Sequence, residues 1–230
     1  NLMKKYGNAG DTEKYNYFGQ RQLVQKIILN SLYGVLGLPV FRFYDVDNAE
    51  ATTVTGQELI KYTQKMTNFF YNKELGDTKD HIIYTDTDSI FCTAVPLVKH
   101  RNPNADVEDD EYMTKEILSI TQEVQDFVND SYDLFGKRFL NINEHRFDIK
   151  QEVIARSAFW VAKKRYGQWI INDGGLECDK LDVKGLDIVR SSFPPSFKKV
   201  MTSVLTSILN GEEKKDIDKM IIDFKKSLPE

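Results

Sequence analysis

At 230 residues and 41% apolar content, the chain can fill a real core, either as one large domain or as two smaller bodies. No apolar run approaches the roughly 20 residues of a membrane-spanning helix, and residues 1–10 lack the charged-then-apolar order of a signal peptide, so a cytosolic protein is expected. A net charge of −4 argues, taken whole, against a simple nucleic-acid binder.

The first predicted element is a helix from about Asp11 to Tyr33. At 100° per residue Val24, Ile27, Ile28 and Leu32 share one broad arc, while Gln22, Lys26, Asn30 and Tyr33 form a polar stripe on the other side. Gly34 is expected to stop this helix. Pro39 breaks helical continuation, and the aromatic and β-branched residues Val40, Phe41, Phe43 and Tyr44 favour a short strand. Asp47 or Asn48 can cap a long helix over residues 49–72, in which Gly56 is expected at a close packing contact. After the turn-forming "ELGDTKD", the run "HIIYTDTDSIFCTAV" reads as two strands joined at or near an Asp pair. Residues 98–111 read as an exposed loop. A second long helix follows from about Tyr112 to Phe135.

From Phe147 the pattern is a meander of antiparallel strands, with a turn at "NDGG". Ser191 or Ser192 can then cap a helix with prolines in its first turn, and helices near 195–210 and 214–227 close the chain. The fold class expected is α+β. Cys92 and Cys178 stand apart, without the spacing of a metal knuckle or disulfide framework, and read as reduced thiols. His81, His100 and His145 have no ligand spacing and read as surface or capping residues.

Charge is distributed unevenly. Residues 1–42 carry six Lys+Arg against two Asp+Glu (+4), residues 43–100 five against nine (−4), residues 101–149 five against twelve (−7) and residues 150–230 fifteen against twelve (+3). Two basic ends therefore flank an acidic middle, which fits either a solvated surface of mixed charge or a cationic binding track beside an acidic metal site.

Three stretches can carry chemistry. In "YTDTDSI", Asp86 and Asp88 share parity if both lie on a strand, which sets them about 7 Å apart on one side. Two hard oxygen donors on rigid backbone suit Mg²⁺; the plainer reading is a turn in which Asp and Thr bond backbone amides. An EF-hand is excluded, because no glycine stands at the sixth position and no glutamate at the twelfth. On the first helix, Lys26, Asn30 and Tyr33 offer a cation, an amide and a phenol in one direction, a set suited to a nucleotide or simply a wet helix face. In "WVAKKRYGQW", read as one strand, Lys163 and Arg165 face one side and Lys164 and Tyr166 the other. That is a surface for tracking a nucleic-acid backbone, or an edge strand that uses lysines against aggregation.

Together and in this order the stretches resemble the family B DNA polymerases, especially the T4-like phage branch. "RQLVQKIILNSLYG" is similar to that family's fingers-helix motif, "YTDTDSI" to its palm-hairpin motif and "KKRY" to its primer-binding strand. "VFRFYDVDNA" and "KGLDIVRSSFP" also resemble the phage enzymes. The resemblance implies residues 1–38 as the second fingers helix, 39–190 as palm, with a catalytic hairpin near 82–95 and a primer-binding strand near 159–171, and 191–230 as the start of the thumb. It implies DNA-directed DNA polymerisation with two Mg²⁺ ions, on primer-template DNA and deoxynucleoside triphosphates. Asp88 would be the main metal ligand and Asp86 its supporting neighbour. Lys26 would hold the triphosphate, Asn30 line the nucleotide pocket, and Tyr33 abut the nascent base pair. Lys164 and Tyr166 would grip the primer terminus, with Lys163 and Arg165 near the backbone and Glu152 near the metals.

The family's earlier palm aspartate, in a segment ending Ser-Leu-Tyr-Pro-Ser, is absent here. So are the amino-terminal and exonuclease domains and the other long fingers helix, and the sequence begins without methionine. The chain is therefore expected to be a piece, either excised or part of a split enzyme, inactive until an upstream polymerase half joins it. It would work in the cytoplasm, that of the host if phage-encoded. The alternative from another class is a non-catalytic polymerase-like subunit for nucleic-acid binding or assembly; a polymerase using an RNA template or a protein primer is a third.

Overall fold

The computed structural model describes residues 2 to 228. The fold is α+β: the described residues form seven α-helices and two small antiparallel sheets, of two and three strands. Two compact units divide the chain, the first ending at Leu59 and the second beginning at Ile60.

In the first unit, α1 (Leu2–Asn8) turns back at Gly10 (φ +70°) onto α2 (Thr12–Leu36), and Tyr6 stacks on Phe18 with centroids 5.5 Å apart. Asp11 caps α2, its carboxylate accepting the Lys14 N–H at 3.1 Å. The helix does not stop at Gly34. A glycine inside a helix costs only about 1 kcal/mol against alanine, and α2 continues to Leu36, where Gly37 caps it two residues before Pro39. Residues 40–44 do not form the expected strand. Phe41 N–H donates to Leu38 O and Tyr44 N–H to Phe41 O, a series of tight turns; no strand among the described residues lies alongside to take ladder bonds, so local turns win over β-propensity.

The next helix, α3 (Val46–Leu75), lends its first turns to this unit and the rest to the second. Its cap is Asp45 rather than Asp47 or Asn48: the Asp45 carboxylate accepts the Asn48 N–H at 3.0 Å. Nothing lies within 4 Å of where a Cβ on Gly56 would stand, so that glycine marks no close approach.

The second unit is built on α3 and α5 (Asp110–Phe135). On α5, Ile120, Val124, Val128, Tyr132 and Phe135 recur every three or four residues and are buried. Thr63, Thr67 and Tyr71 of α3 are buried as well, and Thr63 Oγ1 lies 2.6 Å from Tyr132 Oη of α5. The stretch 98–111 is only partly loop. Val98 to Arg101 belong to α4 (Val95–Arg101), because Leu97 and Val98 are completely buried and Arg101 bonds both Glu74 of α3 and Glu123 of α5. Four hydrogen bonds from one guanidinium thus join three helices.

Of the two sheets, β1 (Ile82–Asp86) and β2 (Ser89–Cys92) make a hairpin; β3 (Val153–Ala162), β4 (Arg165–Asp173) and β5 (Leu176–Lys184) make the expected meander in that order, turning at Gly174–Gly175. The strand expected from Phe147 begins only at Val153. Upstream, α5 side chains take the backbone bonds: Asn129 pairs with both N–H and C=O of Ile149, and Gln125 accepts the Gln151 N–H. Helices α6 (Pro195–Leu209) and α7 (Lys214–Ser227) follow, with Phe197 packed edge-on to Phe224. Neither Ser191 nor Ser192 caps α6; Pro194 occupies the cap and Pro195 the first helical position, where the missing N–H costs nothing.

Candidate functional site

The hairpin that carries the Asp pair is mounted on α3 at its base. The His81 N–H donates to Asn68 Oδ1, the His81 ring lies 3.1 Å from Asn72 Oδ1 and from Asp77 Oδ1, and Tyr71 Oη donates to Cys92 Sγ. His81 is thus buried, which corrects the surface alternative in its reading as a surface or capping residue, and the carboxylate of Asp77 is held below its usual range chiefly by that imidazole. Burial pushes the Tyr71 phenol and the Cys92 thiol up, so both stay neutral at the base.

At the free end Asp86 pairs with Ser89, leaving Thr87 and Asp88 as a two-residue turn. Thr87 has φ +53°, left-handed and costly for a β-branched residue. The strand-parity expectation for Asp86 and Asp88 therefore fails. Asp86 ends a strand, whereas exposed Asp88 belongs to the turn, its N–H donating to Asp86 O at 2.6 Å. The sequence Thr-Asp lacks the Asn-Gly signal that would have announced such a turn.

A second hairpin tip meets the first. "KKRY" is not one strand: Ala162 pairs with Arg165, and Lys163–Lys164 form the β3–β4 turn, with Lys164 at φ +62°. The Lys164 ammonium lies 2.5 Å from Asp86 Oδ1 and 3.2 Å from Thr87 Oγ1. The Lys164 backbone N–H donates to Tyr84 Oη at 2.8 Å, and that hydroxyl donates to Asp86 Oδ2 at 3.3 Å. On the other side of the turn, Gly185 has φ +65°, and a Cβ there would stand 2.0 Å from the Lys164 carbonyl oxygen. Beneath both tips Tyr84, Phe91, Trp160 and Tyr166 form a four-ring cluster, with centroids 5.7 to 6.3 Å apart.

The electrostatics follow from these contacts. The Lys164 ammonium, and then the Thr87 hydroxyl, hold the Asp86 carboxyl below its usual range against some desolvation, and Asp86 raises Lys164 in return. Tyr166 is raised mainly by burial within the cluster. Lys163 is exposed, and Arg165 pairs with Asp187 at 3.3 Å.

Asp86, Lys164 and Tyr166 are thus brought together. Lys26, Asn30 and Tyr33 share a face of α2 in the first unit, at spacings of four and three, and all three are exposed. The apolar arc of α2 is exposed as well: Val24, Ile27, Ile28 and Leu32 are 54–63% accessible. Glu152 is far from the acidic turn. It precedes β3 and its carbonyl accepts the Gly174 N–H, whereas the lysine turn lies at the other end of that ten-residue strand, roughly 30 Å away at ~3.3 Å per residue.

Tyr84, Thr87, Phe91, Trp160 and Gly185 were not among the residues singled out from sequence. The available signal was the two-residue spacing of Tyr84 and Asp86 along β1. As a cation site, the acidic turn supplies hard oxygen donors from Asp86 and exposed Asp88. Among the described residues no group of three or more His, Cys, Asp or Glu side chains could hold a metal. Such a pair fits Mg²⁺, which is ordinarily held by one or two carboxylates, keeps several waters and takes further oxygens from phosphates. The ammonium seated on Asp86 shows that this carboxylate accepts a cation.

The family described as DNA polymerase family B matches residues 1–230. Among similar proteins, the DNA-directed DNA polymerase of Escherichia phage RB69 is 27% identical over 203 residues, covering 84% of this chain and 22% of the phage protein. That of Enterobacteria phage T4 is 28% identical over 204 residues, covering 84% and 23%. The DNA polymerase alpha catalytic subunit of Xenopus laevis is 27% identical over 218 residues, covering 94% and 12%. The chain therefore spans less than a quarter of the length of these relatives.

Proposed function

The chain belongs to DNA polymerase family B, and on that premise we propose that it supplies the nucleotide-binding helix, the acidic hairpin and the primer-gripping turn of a DNA-directed DNA polymerase. The observation that carries this reading is the meeting of two hairpin tips, one acidic through Asp86 and Asp88 and one basic through Lys163 and Lys164. Residues 1–38 act as a fingers helix, 39–190 as palm and 191–230 as the start of the thumb. The reaction takes primer-template DNA and deoxynucleoside triphosphates, in the cytoplasm, that of the host if the chain is phage-encoded.

Asp88, exposed on its turn, is the main ligand for Mg²⁺, and Asp86 supports it. When bound, two Mg²⁺ ions supply Lewis acidity that makes the primer 3′ hydroxyl nucleophilic and neutralises charge on the transferring phosphate. Lys26 meets triphosphate oxygens through its ammonium, Asn30 lines the nucleotide pocket, and Tyr33 offers a flat ring to the nascent base pair. Lys164 holds the primer terminus, supported by Tyr166 from within the aromatic cluster; Lys163 and Arg165 lie against nearby backbone phosphates.

The test is primer extension by this chain combined with the upstream polymerase half. Mg²⁺-dependent extension is expected, and Asp88→Ala is expected to abolish it. Extension that persists unchanged after that substitution refutes the assignment. A complex that binds primer-template yet extends nothing with Mg²⁺ or Mn²⁺ points instead to a non-catalytic subunit.

A further inference from the structure

The cation on Asp86 is Lys164, and burial of its own stem does not explain why it sits there. Its side chain is 60% exposed, against 18% for Asp86. What delivers the ammonium is backbone: Lys164 is left-handed, its N–H is held by Tyr84 Oη and its carbonyl rests against Gly185, which has no side chain to push it away. The four-ring cluster fixes Tyr84 from below.

We propose that Lys164 is a built-in stand-in for a divalent cation at Asp86, so that loading the acidic turn with metal and freeing Lys164 for DNA are one exchange. This rests on the reading of Asp86 and Asp88 as the cation-holding pair. A metal ion on Asp86 Oδ1 would meet an ammonium already 2.5 Å from that oxygen; two cations held that close repel one another, so Lys164 withdraws. Its flexible four-carbon stem lets the ammonium swing while the turn stays anchored through Tyr84 and Gly185. In the metal-free state the lysine relieves repulsion within the acidic turn. By linkage, a phosphate that draws Lys164 away raises the affinity for the cation, and the cation raises the affinity for the phosphate by the same factor.

The experiment is a Mn²⁺ titration of the 230-residue chain, followed by electron paramagnetic resonance of the free ion, for the parent and for Lys164→Gln, Lys163→Gln and the double variant Asp86→Asn/Asp88→Asn. Lys164→Gln is expected to bind Mn²⁺ about two- to fivefold more tightly than the parent, while Lys163→Gln, which loses the same charge one residue away, stays within about 1.5-fold. In parallel, the ammonium NMR signal of Lys164 is expected to move toward that of free lysines as diamagnetic Mg²⁺ is added. Equal effects of the two lysine variants, or a Lys164 signal that stays put while the Asp86 and Asp88 amides titrate, overturn the exchange. If Mn²⁺ binding is lost in the double variant but is no tighter in Lys164→Gln, only the exchange fails. If binding survives the double variant, or is absent from every protein, the cation site itself fails and the exchange with it.

Discussion

Gly185→Ala puts a methyl group where the second unit has no room for it. Gly185 has φ +65°, a conformation that costs an L-residue about 1–2 kcal/mol. The new Cβ would stand 2.0 Å from the Lys164 carbonyl oxygen. Ordinary contact begins at 3.4 Å, so the carbonyl would have to retreat by about 1.4 Å, and overpacking of this kind typically costs about 1–3 kcal/mol. The two terms together make a loss of roughly 2–5 kcal/mol, which for a body of this size lowers Tm by about 4–15 °C. Both tryptophans, Trp160 and Trp169, lie on the β3–β4 pair, so intrinsic fluorescence during heating reports this sheet directly. The same substitution is expected to shift the Lys164 amide resonance, because the turn moves off Tyr84. A Tm within about 1 °C of the parent, together with an unmoved Lys164 amide, would refute the argument that Gly185 holds the turn, since neither strain nor clash at the stated size could then be present.

Three further outcomes follow from the same contacts. Tyr84→Phe keeps the ring in its cluster but removes the hydroxyl that accepts the Lys164 N–H and donates to Asp86; it is expected to keep its Trp fluorescence while the Lys164 and Asp86 signals shift in NMR spectra, and unchanged signals would rule out the bridge. Thr67→Val removes a buried hydroxyl that has no hydrogen-bond partner among the described residues, and is expected to raise stability by about 1 kcal/mol in urea unfolding; a loss would show that the hydroxyl is satisfied. Arg101→Met is expected to cost about 1 kcal/mol at neutral pH, a modest figure because the network is partly solvated. Arg101 depresses the pKa of Glu123, so that carboxylate's contribution is present above its unfolded pKa and is lost as pH falls through the folded one. The gap between parent and variant should therefore close on acidification below about pH 4, and a gap that widens there contradicts the sign.

Helix α5 and the hairpin β1–β2 were legible because their signals are local. Apolar residues recur every three or four positions from Met113 to Phe135, and β-branched and aromatic residues flank the Asp pair. Elsewhere local rules misled. Thr87–Asp88 and Lys163–Lys164 both form two-residue turns with one left-handed non-glycine residue, and nothing in either dipeptide advertises it. The aromatic residues after Pro39 carry β-propensity but find no strand among the described residues to pair with, while Ile149 and Gln151 spend backbone bonds on Asn129 and Gln125.

From its order of residues alone the chain determined which side chains could serve as cation ligands, phosphate partners and stacking surfaces, because those capacities belong to carboxylates, ammonium groups and rings wherever they stand. What only the tertiary structure decided is that Lys164 occupies Asp86, a contact between residues 78 positions apart. No local periodicity encodes such a pairing. It exists because Tyr84, Phe91, Trp160 and Tyr166 pack two hairpins together, and because Gly185 leaves space for the lysine turn to come down onto the acidic one.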